Sequence, residues 1–468
     1  MHNLSVLILA AGKGTRLKSA YPKVLHTLAG QSLIEFVLET ARTLTPREIW
    51  VIVGYEAERV TTSLTGWPAR FIRQEPQLGS GHALQVAKQA WENQPGSLLV
   101  LSGDVPLITA ATLEKLVGTH QQSGAGATIL TTLRENPGNC GRLVRNQQGG
   151  VEAIVEHKDA TLEQREIREI NTGICILEIA PLAGVMAKLS ADNVQKEYFL
   201  TDCIALLREQ GFPVGAVVCD DPMEVEKVNS RADLARLGKW VREKTLAKLM
   251  QAGVTLLDPA STYVDIQVEI GNDTVLYPNV FLEGKTRIGS NCRIYPHCRI
   301  RNSVLEEEVT ILDCTVIEEA LVRKGAQLGP FARLRPKTEI GEEARIGNFV
   351  EVKNSRIGKH SKAQHHSYLG DADIGENVNV GAGTITCNYD GIKKSRTTIG
   401  DGAFIGSDTQ LIAPVKVGRG AYVAAGSSIC EDVPEESLGI ARARQVNKEG
   451  WARKRREGRD GKSETFNE

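Results

Sequence analysis

The sequence has almost no net charge, no Cys-x-x-Cys pair and no apolar run long enough to cross a membrane. Its formal charge is -1, and Lys and Arg form no dominant block before the C-terminal tail, which argues against non-specific nucleic-acid binding. The nine scattered cysteines predict neither a zinc site nor a disulfide framework, and they fit a reducing, cytoplasmic compartment. The first apolar run, residues 4–11, follows no basic region and is short, so we expect no targeting segment.

An apolar residue recurs at every sixth position over much of residues 264–429. The recurring positions form three registers: Val264, Ile270, Leu276, Leu282, Ile288, Ile294 and Ile300; Val316, Val322, Leu328, Leu334, Ile340 and Ile346; Ile399, Ile405, Leu411, Val417, Val423 and Ile429. A period of six is typical of β-helix repeats, in which short strands and turns stack in coils. With about 18 residues in a coil, the stretch predicts on the order of nine or ten coils.

The six-residue period changes at three places. It slips by one position between Val352 and Ile357 and again between Leu369 and Ile374, and we expect only these two slips. An insertion is predicted over residues 386–398, and it carries Lys393, Lys394 and Arg396. Such an insertion must leave the surface of the coil as a loop.

Residues 1–229 alternate short aliphatic strands with helical patterns. Strands are predicted at residues 5–9, 49–53 and 97–101, and helices at residues 33–43 and 81–91. This alternation is typical of βαβ units and a mostly parallel sheet, whose ligands bind at the carboxyl ends of the strands. From about residue 224 to 250 the apolar spacing predicts one long connecting helix, with a partner-binding amphipathic helix as the alternative.

The loop after the first predicted strand reads LILAAGKGTRL, residues 7–17. Gly12 and Gly14 let the backbone approach a phosphate chain, and a helix N-terminus with Lys13, Arg16 and Lys23 would supply positive potential. The third glycine of a dinucleotide fingerprint and the GK[ST] of a P-loop are both absent. A phosphate site is the better interpretation, and a purely structural glycine turn is the alternative.

The loop after the strand at 97–101 reads SGDVPL and places Asp104 at the carboxyl edge of the sheet. A carboxylate there is a hard oxygen ligand of the kind that Mg²⁺ takes beside substrate phosphates. The alternative is an Asp that caps a helix or a turn. A second metal ligand has to come from elsewhere in the chain.

Four polar segments interrupt the repeat about 18 residues apart: FARLRP (331–336), GNFVEVKN (347–354), HHSYLGD (365–371) and NVGAGTITCNYDG (379–391). Stacking of coils would bring them together on one side. His365 near Tyr368, Lys353 and Arg335 has the character of a general base beside an anion site. Cys387 could be a nucleophile instead, although no covalent acyl-enzyme is needed.

These motifs resemble those of the bacterial bifunctional N-acetylglucosamine-1-phosphate uridyltransferases/glucosamine-1-phosphate acetyltransferases over nearly the whole chain. The N-terminal half matches through LILAAGKGTRL, PKVLHTLAG, QLGSGHA, GDVPL, CGRL, IVEHKDA and EINTGI. The resemblance implies a Rossmann-like α/β nucleotidyltransferase domain with a mostly parallel sheet (1–229) and a linker helix (230–250). It also implies a left-handed parallel β-helix of hexapeptide repeats, the acetyltransferase domain (251–446), before a charged tail (447–468).

The resemblance also implies the residues of the uridyltransferase site. Those that bind UTP or UDP-N-acetylglucosamine are Leu9, Ala10, Ala11, Gly12, Lys23, Gln74, Gly79, Ser80, Gly103, Asp104, Gly141, Glu156, Asn171 and Asn229. Within this set, Gln74, Gly79 and Ser80 read the uracil, and Ala10, Ala11 and Gly12 line the uracil and ribose side. The residues that contact the amino sugar or its phosphate are Gly141, Glu156, Asn171 and Asn229. Lys23 and Arg16 face the triphosphate, and Asp104 and Asn229 are the protein ligands of Mg²⁺. Ser102 departs from the bulkier aromatic of several relatives, which leaves the sugar contact there open.

For the acetyltransferase site, the resemblance implies three groups of residues. Glucosamine-1-phosphate is held by Arg335, Lys353, Tyr368, Asn379 and Lys394, and acetyl-CoA by Ala382, Asn388, Tyr389, Ser407, Ala425 and Arg442. His365 takes a proton from the attacking amine, with Glu351 nearby to assist. Only the register on the following Tyr368 distinguishes His365 from His366.

The sequence therefore predicts an enzyme that acetylates glucosamine-1-phosphate and then couples the product to UTP, as a homotrimer through the β-helix. The expected partners are small molecules and no nucleic acid or membrane. Two rivals are a single-function nucleotidyltransferase with a structural solenoid and a non-catalytic scaffold. We expect the tail to be solvated or disordered, with the alternative that Trp451 and its basic neighbours cap the CoA pocket of another subunit.

Overall fold

A computed structural model describes residues 3–193 and 195–460, and the chain divides into two units between Thr245 and Leu246. The first unit is built on one sheet. Its strands are β1 (Leu4–Ala10), β4 (Ile49–Val53), β5 (Arg70–Arg73), β6 (Ser97–Ser102), β7 (Ala127–Leu133), β8 (Arg142–Arg145), β9 (Val151–Val155), β10 (Glu169–Glu178) and β11 (Val214–Val218), with a separate hairpin of β2 (Thr27–Leu28) and β3 (Gln31–Ser32).

The order across the sheet is β11-β7-β10-β6-β1-β4-β5, and β8 pairs with β10 and β9. Strand β1 runs parallel to β4 and β6, whereas β10 runs antiparallel to β6 and β7. The predicted mostly parallel sheet is confirmed. Because β1 and β6 are neighbours, the loops that follow them lie side by side at one edge, as do Ala10 and Ser102 at their ends.

Helices cover this sheet and lead into the second unit. They are α1 (Leu33–Thr43), α2 (Ala57–Ser63), α3 (Ser80–Val86), α4 (Lys88–Trp91), α5 (Ala110–Ser123), α6 (Leu162–Arg165), α7 (Ile179–Val185), α8 (Leu200–Glu209) and α9 (Arg231–Gln251). The single helix predicted at 81–91 is divided at Ala87. The indole N–H of the buried Trp91 donates to the carbonyl of Leu84, which a continuous helix would have paired with the N–H of Lys88.

The connecting helix α9 begins at Arg231 and not near residue 224, where a 3₁₀ turn (Pro222–Val225) stands instead. A carboxylate oxygen of Asp233 accepts hydrogen bonds from the backbone N–H groups of Asn229 and Ser230, and the Ser230 hydroxyl accepts from the N–H of Asp233. These bonds satisfy N–H groups at the helix start, so they fix where the helix begins. The division between the two units falls within this helix.

The second unit is a parallel β-helix made of three sheets. The first sheet contains β12 (Thr255–Leu256), β15 (Val275–Leu276), β18 (Arg293–Ile294), β21 (Thr310–Ile311), β24 (Gln327–Leu328), β27 (Arg345–Asn348), β30 (Lys362–His365), β33 (Asn379–Val380), β36 (Phe404–Ile405), β39 (Tyr422–Val423) and β41 (Leu438–Gly439). The second contains β13 (Tyr263–Val264), β16 (Phe281–Glu283), β19 (Arg299–Arg301), β22 (Val316–Glu318), β25 (Arg333–Leu334), β28 (Glu351–Lys353), β31 (Tyr368–Gly370), β34 (Ile385–Cys387), β37 (Gln410–Ile412) and β40 (Ser428–Ile429).

The third sheet contains β14 (Glu269–Ile270), β17 (Arg287–Ile288), β20 (Val304–Leu305), β23 (Ala320–Val322), β26 (Thr338–Ile340), β29 (Arg356–Ile357), β32 (Ala372–Ile374), β35 (Thr397–Ile399) and β38 (Val415–Val417). Within the described residues the sheets have eleven, ten and nine strands, which agrees with the predicted nine or ten coils. Stacked aliphatic side chains form one continuous core.

The prediction of only two slips is wrong, because the coil shortens by one residue at four turns. Each shortened turn has a residue in the left-handed conformation: Asn302, Glu319, Asn354 and Asp371. The slip at Asn302 moves the register, so Ile317 pairs with Ile300 and is fully buried, while the predicted core residue Val316 is partly exposed. A shift of one position turns a strand's side chains to the opposite face.

The predicted insertion lies between β34 and β35. Ile399 follows its sheet partner Ile374 by 25 positions, whereas neighbouring coils repeat after 17 or 18. Residues 388–396 form the loop. At the C-terminus, residues that we expected to be solvated or disordered form an exposed helix, α10 (Trp451–Asp460), and residues 461–468 of the predicted tail lie outside the described part of the chain.

Two observations concern the chain as a whole. Among the described residues, none of the helices has the length and apolar character needed to cross a membrane. All nine cysteines are unpaired, and five of them are buried in the hydrophobic clusters of the two units. Burial raises the pKa of the Cys298 thiol to about 12.

Candidate active sites

Two adjoining cavities lie at the carboxyl ends of β1 and β6, with volumes of about 680 and 420 Å³. The smaller is lined by the predicted uridine-binding residues Leu9, Ala10, Ala11, Gly12, Gln74, Gly79 and Ser80. The larger is lined by the predicted sugar-binding residues Gly141, Glu156 and Asn171. Arg16, Lys23, Asp104 and Asn229 line both. The residues predicted to face the triphosphate and the metal therefore lie between the two predicted substrate sites.

The shared wall brings together two cations and two side-chain oxygens. The Lys23 ammonium contacts the Asp104 carboxylate and donates a hydrogen bond of 2.8 Å to Oδ1 of Asn229. The Arg16 guanidinium donates to the same Asn229 oxygen at 2.9 Å. Asn229 reaches this position from just before α9, more than 120 residues after Asp104. Asp104 lies in a turn after β6. A residue in this turn can also be a metal ligand, so the two interpretations of Asp104 do not exclude each other.

In the smaller cavity, Gln74 is buried and its side-chain amide donates a hydrogen bond of 2.9 Å to the carbonyl of Gly79. The same amide lies 3.2 Å from Nδ1 of His82. These contacts hold the Gln74 amide in one orientation. An oriented amide beside an open cavity can distinguish a base by hydrogen bonding.

The glycine loop after β1 differs from the prediction in two respects. It leads into a single 3₁₀ turn, Thr15–Leu17, so there is no α-helix N-terminus to bind phosphate. Gly14 has a positive φ of 66°, and a Cβ there would lie 2.7 Å from Cβ of Lys23. This glycine therefore allows the Lys23 stem to pass. Lys13 lies against the ring of Tyr55, away from both cavities.

In the larger cavity, Glu156 lies beside Gly141, and burial raises the pKa of its carboxyl group despite the opposing charge of Lys227. The Asn171 side chain accepts a hydrogen bond of 2.9 Å from the N–H of Gly173, which leaves its amide group toward the cavity. Gly103, which the resemblance placed with the nucleotide, is on neither wall. It is buried, and its N–H donates to the carbonyl of Leu9 at 2.9 Å.

Sequence reasoning missed several residues of these walls, among them Lys227, Arg134 and Gln77. Arg134 forms an ion pair with Glu226, which occupies its charge. Lys227 lies two positions before Asn229, so its proximity to a predicted metal ligand was the available signal. The apolar spacing of residues 224–228 instead predicts the start of the connecting helix.

In the β-helix, the predicted sugar-phosphate residues meet on successive coils. Arg335 forms an ion pair of 2.9 Å with Glu351, whose Cα pairs with that of Tyr368 on the next coil. A Cβ at Gly370 would lie 2.4 Å from the Tyr368 hydroxyl, so the Tyr368 ring covers this glycine. Lys353 pairs with Gly370 in the same sheet. The structure thus brings Arg335, Lys353 and Tyr368 together.

A buried carboxylate, Asp371, connects this group to the inserted loop. It accepts hydrogen bonds from the side-chain amides of Asn354 and Asn388. Burial alone would raise the pKa of Asp371, but these bonds and the charges of Lys394 and Lys353 outweigh it and hold the pKa below its usual value. The insertion therefore brings Lys394 to the cluster, while the Asn388 side chain faces Asp371.

His365 stands at the end of β30 and is exposed. Its Nδ1 lies 3.1 Å from Oδ1 of Asn348, the paired residue on the preceding coil. An Nδ1–H that donates to this oxygen leaves Nε2 unprotonated and able to accept a proton. Glu351 is engaged by Arg335 and makes no hydrogen bond to His365 within the described chain. The adjacent His366 has a positive φ of 48° and packs against the ring of Phe349.

The remaining residues predicted for acetyl-CoA form a row. Ala382, Ser407 and Ala425 each follow a paired core position of the first sheet, namely Val380, Ile405 and Val423. The N–H of Gly426 donates to the carbonyl of Ser407 at 2.8 Å, and the Arg442 stem lies beside Gly426. Tyr389, also predicted for acetyl-CoA, is exposed in the inserted loop. Asn379, which is predicted to bind the sugar phosphate, lies at the start of β33 in the same sheet.

Cys387 does not have the character of a nucleophile. Burial raises the pKa of its thiol, and no cation or helix N-terminus among the described residues acts in the opposite direction. A thiol with a raised pKa has little thiolate at neutral pH, so direct attack by the sugar amine is the better interpretation.

The sequence matches two family models over parts of its length and many curated proteins over nearly all of it. Residues 6–167 match the MobA-like NTP transferase domain, and residues 267–302 and 396–431 match the bacterial transferase hexapeptide repeat. The protein named bifunctional protein GlmU from Carboxydothermus hydrogenoformans is 48% identical over 447 residues, covering 96% of this chain and 99% of that protein. Those from Trichlorobacter lovleyi and Koribacter versatilis are 45% and 46% identical, and each alignment covers 97% of this chain.

The chain has a cavity at the strand ends of its NTP transferase domain and a second polar cluster on its hexapeptide β-helix. This combination defines a transferase with two sites. More particularly, the chain belongs to the family of the bifunctional protein GlmU. The predicted function is thereby confirmed: the chain is a bifunctional enzyme of UDP-N-acetylglucosamine synthesis with uridyltransferase and acetyltransferase activities.

Proposed function

We propose that the first unit joins UTP to N-acetylglucosamine-1-phosphate in the two cavities and that the β-helix cluster acetylates glucosamine-1-phosphate beforehand. In the uridyl step, a phosphate oxygen of the sugar forms a bond to the α-phosphorus of UTP, and the bond to the bridging oxygen of pyrophosphate breaks. Both reactants are anions, so catalysis needs positioning and positive charge more than a side-chain nucleophile. The convergence of Lys23, Arg16, Asp104 and Asn229 between the cavities is the observation that carries this assignment.

The residues of each wall have distinct roles in this reaction. Leu9, Ala10, Ala11 and Gly12 pack along the nucleoside, and Gln74, Gly79 and Ser80 recognise the uracil. Lys23 and Arg16 bind the triphosphate and offset the charge that develops on the leaving pyrophosphate. Gly141, Glu156 and Asn171 hold the sugar, with Asn229 at its phosphate. Gly103 fixes the position of Leu9 by its hydrogen bond to the Leu9 carbonyl and does not itself contact the substrate.

Asp104 and Asn229 also fit a divalent cation. Both direct an oxygen at the single ammonium of Lys23, so one positive charge already lies between two hard oxygen donors. Mg²⁺ prefers one or two such protein ligands and completes its shell with water and substrate phosphates. When bound there, Mg²⁺ would neutralise phosphate charge and orient the phosphate groups.

In the acetyl step, the amine of glucosamine-1-phosphate attacks the thioester carbonyl, a C–N bond forms, the C–S bond breaks and the CoA thiol leaves. His365 takes the proton from the amine through Nε2, with Asn348 holding the tautomer. Arg335, Lys353, Tyr368, Asn379 and Lys394 bind the sugar phosphate. Because Glu351 is paired with Arg335, we assign it the placement of that guanidinium rather than direct help to His365.

For acetyl-CoA we propose the row of Ala382, Ser407 and Ala425, three small side chains on successive coils, with Arg442 at one end for a phosphate. Asn388 and Tyr389 border this row from the inserted loop. We further propose a homotrimer through the β-helix. His365, Ser407 and Ala425 are exposed, and Phe331 and Phe349 stack on the surface with 51% and 55% exposure, so a second chain could cover them.

We propose the cytoplasm as the location. Nine unpaired thiols, several of them buried, are typical of proteins from reducing compartments. The substrates, UTP and acetyl-CoA, are small intracellular metabolites, and no nucleic-acid partner is expected from a net charge of -1.

The decisive experiment is thiol release from acetyl-CoA by the purified chain with glucosamine-1-phosphate and without UTP. Release that depends on the sugar phosphate supports an independent acetyltransferase. The parallel assay is pyrophosphate release from UTP and N-acetylglucosamine-1-phosphate. Pyrophosphate release without any thiol release would reduce the β-helix to a scaffold and overturn the residue assignments beyond residue 330.

The same two assays test the separation of the sites. Asp104→Ala should stop pyrophosphate release and leave thiol release near the wild-type rate, because Asp104 belongs to the first unit only. A folded Asp104→Ala protein that loses both activities would contradict independent sites.

A further inference from the structure

Lys227 is a cation of the uridyltransferase cavities for which the predicted site has no role. It lines both cavities and is half-buried. Within the described residues its ammonium makes no hydrogen bond to a side chain or carbonyl and forms no ion pair within 4.0 Å. The other cations on these walls are engaged: Arg16 with Asn229, Lys23 with Asp104, and Arg134 with Glu226. Lys227 is therefore the wall cation left open for a ligand among the residues that the structure describes.

The surroundings of Lys227 make room for its ammonium group. A Cβ at Gly173 would lie 3.0 Å from Nζ of Lys227 and 3.8 Å from Oγ of Ser102. Gly173 has a positive φ of 80°, which favours glycine, and Ser102 is small. The ammonium consequently extends over the bend in β10 toward the end of β6. This position lies on the wall shared by the two cavities.

Charge on the sugar side makes a cation there useful. Glu156 and Asp202 have raised pKa values because of burial, and Asp159 adds to the negative potential around both carboxyl groups. A sugar phosphate that enters this side carries a negative charge of its own. Lys227 is close enough to lower the pKa of Glu156, yet it forms no ion pair with it. Its charge is thus available to an anion.

We propose that Lys227 binds the phosphate group of the sugar-1-phosphate substrate and positions the attacking oxygen at the wall shared by the two cavities. This inference rests on the proposed uridyltransferase function of these cavities. It divides the cations by substrate: Lys23 and Arg16 act on the nucleotide phosphates, and Lys227 acts on the sugar phosphate. Charge-assisted hydrogen bonds to phosphate are stronger than neutral ones, so one such contact affects affinity measurably.

The test is a comparison of two Michaelis constants in the pyrophosphate-release assay. Lys227→Met should raise the KM for N-acetylglucosamine-1-phosphate about 10- to 100-fold, the loss expected for one charged hydrogen bond. The KM for UTP should stay within about twofold, because that substrate depends on Lys23 and Arg16. Lys227→Arg keeps the charge and should recover part of the difference. Lys115→Met, which removes a surface ion pair with Asp220, is the matched control.

Each result decides between the alternatives. Equal changes in both KM values, or a normal KM for the sugar phosphate, would show that Lys227 only balances the charge of Glu156. If Lys227→Met does not fold, Lys227→Gln is assessed by the same ratio of KM values. A wild-type chain that releases no pyrophosphate contradicts the proposed function itself, whereas an active wild type with an unaltered Lys227→Met variant contradicts this inference alone.

Discussion

The ammonium of Lys23 lies 2.8 Å from Oδ1 of Asn229, and the same ammonium contacts the carboxylate of Asp104. Lys23 therefore occupies the space between the two oxygens that we assign to Mg²⁺. The triphosphate of UTP would attract this ammonium away from them. Nucleotide binding and metal binding should for this reason be coupled through Lys23.

Lys23→Met should strengthen metal binding to the nucleotide-free protein, because the substitution removes a competing charge from both oxygens. We expect Mn²⁺, used as a spectroscopic probe for Mg²⁺, to bind about tenfold or more tightly by electron paramagnetic resonance titration. Pyrophosphate release should fall by about 10²- to 10³-fold, the usual loss on removing a charge that stabilises a transition state. Lys13→Met, whose ammonium lies over Tyr55, is the control. Weaker Mn²⁺ binding by Lys23→Met would contradict the competition.

His365→Ala should lower the kcat of thiol release by about 10²- to 10⁴-fold, because it removes the general base, and pyrophosphate release should stay near normal. His366→Ala is the matched control, since the His366 ring packs on Phe349 and, in the described chain, only the backbone N–H of His366 bonds to Asn348, at its carbonyl oxygen. We expect it to keep most of its acetyl transfer. The reverse pattern would show that the register has been assigned to the wrong histidine.

Asn348→Ala should lower the kcat of acetyl transfer. Without Oδ1 of Asn348, the Nδ1–H of His365 has no fixed acceptor, so the tautomer with a free Nε2 is less favoured. We expect about a tenfold lower kcat, with little change in KM. A variant with a normal kcat would remove Asn348 from the site.

Asp371→Asn tests the buried carboxylate that connects the inserted loop to the sugar-phosphate cluster. Asn354 donates to one carboxylate oxygen of Asp371 and Asn388 to the other, and the substitution replaces one of these oxygens with an NH₂ group. We therefore expect a loss of about 1–3 kcal/mol in the free energy of unfolding at pH 7. Because the pKa of Asp371 is lowered in the fold, its carboxylate stabilises the fold above the unfolded pKa. This contribution is lost as pH falls through the folded pKa.

The difference between wild type and Asp371→Asn in denaturant unfolding should accordingly shrink below about pH 4. Asp373→Asn, an exposed residue on β32, is the matched control and should be nearly neutral at every pH. A difference that grows toward acid pH would mean that the sign of the Asp371 shift is wrong.

Ile317→Ala should destabilise the β-helix by about 2–5 kcal/mol, the usual range for a fully buried aliphatic residue. Val316→Ala at the neighbouring position should cost less than half as much, because Val316 is partly exposed. Equilibrium urea unfolding measures both values. Similar losses at the two positions would contradict the register that the structure assigns to this coil.

The sequence alone determined the kind of fold, and it named most of the candidate site residues, many of them through the family resemblance. A period of six can be read directly from the sequence because each turn of the β-helix places aliphatic residues at equivalent interior positions. Short apolar runs likewise predict the strands of a parallel sheet. In motifs such as LILAAGKGTRL and HHSYLGD, the candidate catalytic and binding residues lie close together in the sequence. Lys23, Asp104, His365 and their predicted partners could for this reason be named before any coordinates.

Only the tertiary structure decided which residues meet. The four shortened turns could not be counted from the sequence, because a turn that loses one residue at Asn302 or Glu319 looks like a faulty repeat until the strands are paired. Glu351 was expected beside His365, but an ion pair with Arg335 from another coil holds it. Lys227 and Asn348 were missed since their importance comes from neighbours distant in sequence. Periodicity is a local property of the chain. Contacts between coils and across the sheet depend on how segments distant in sequence pack together.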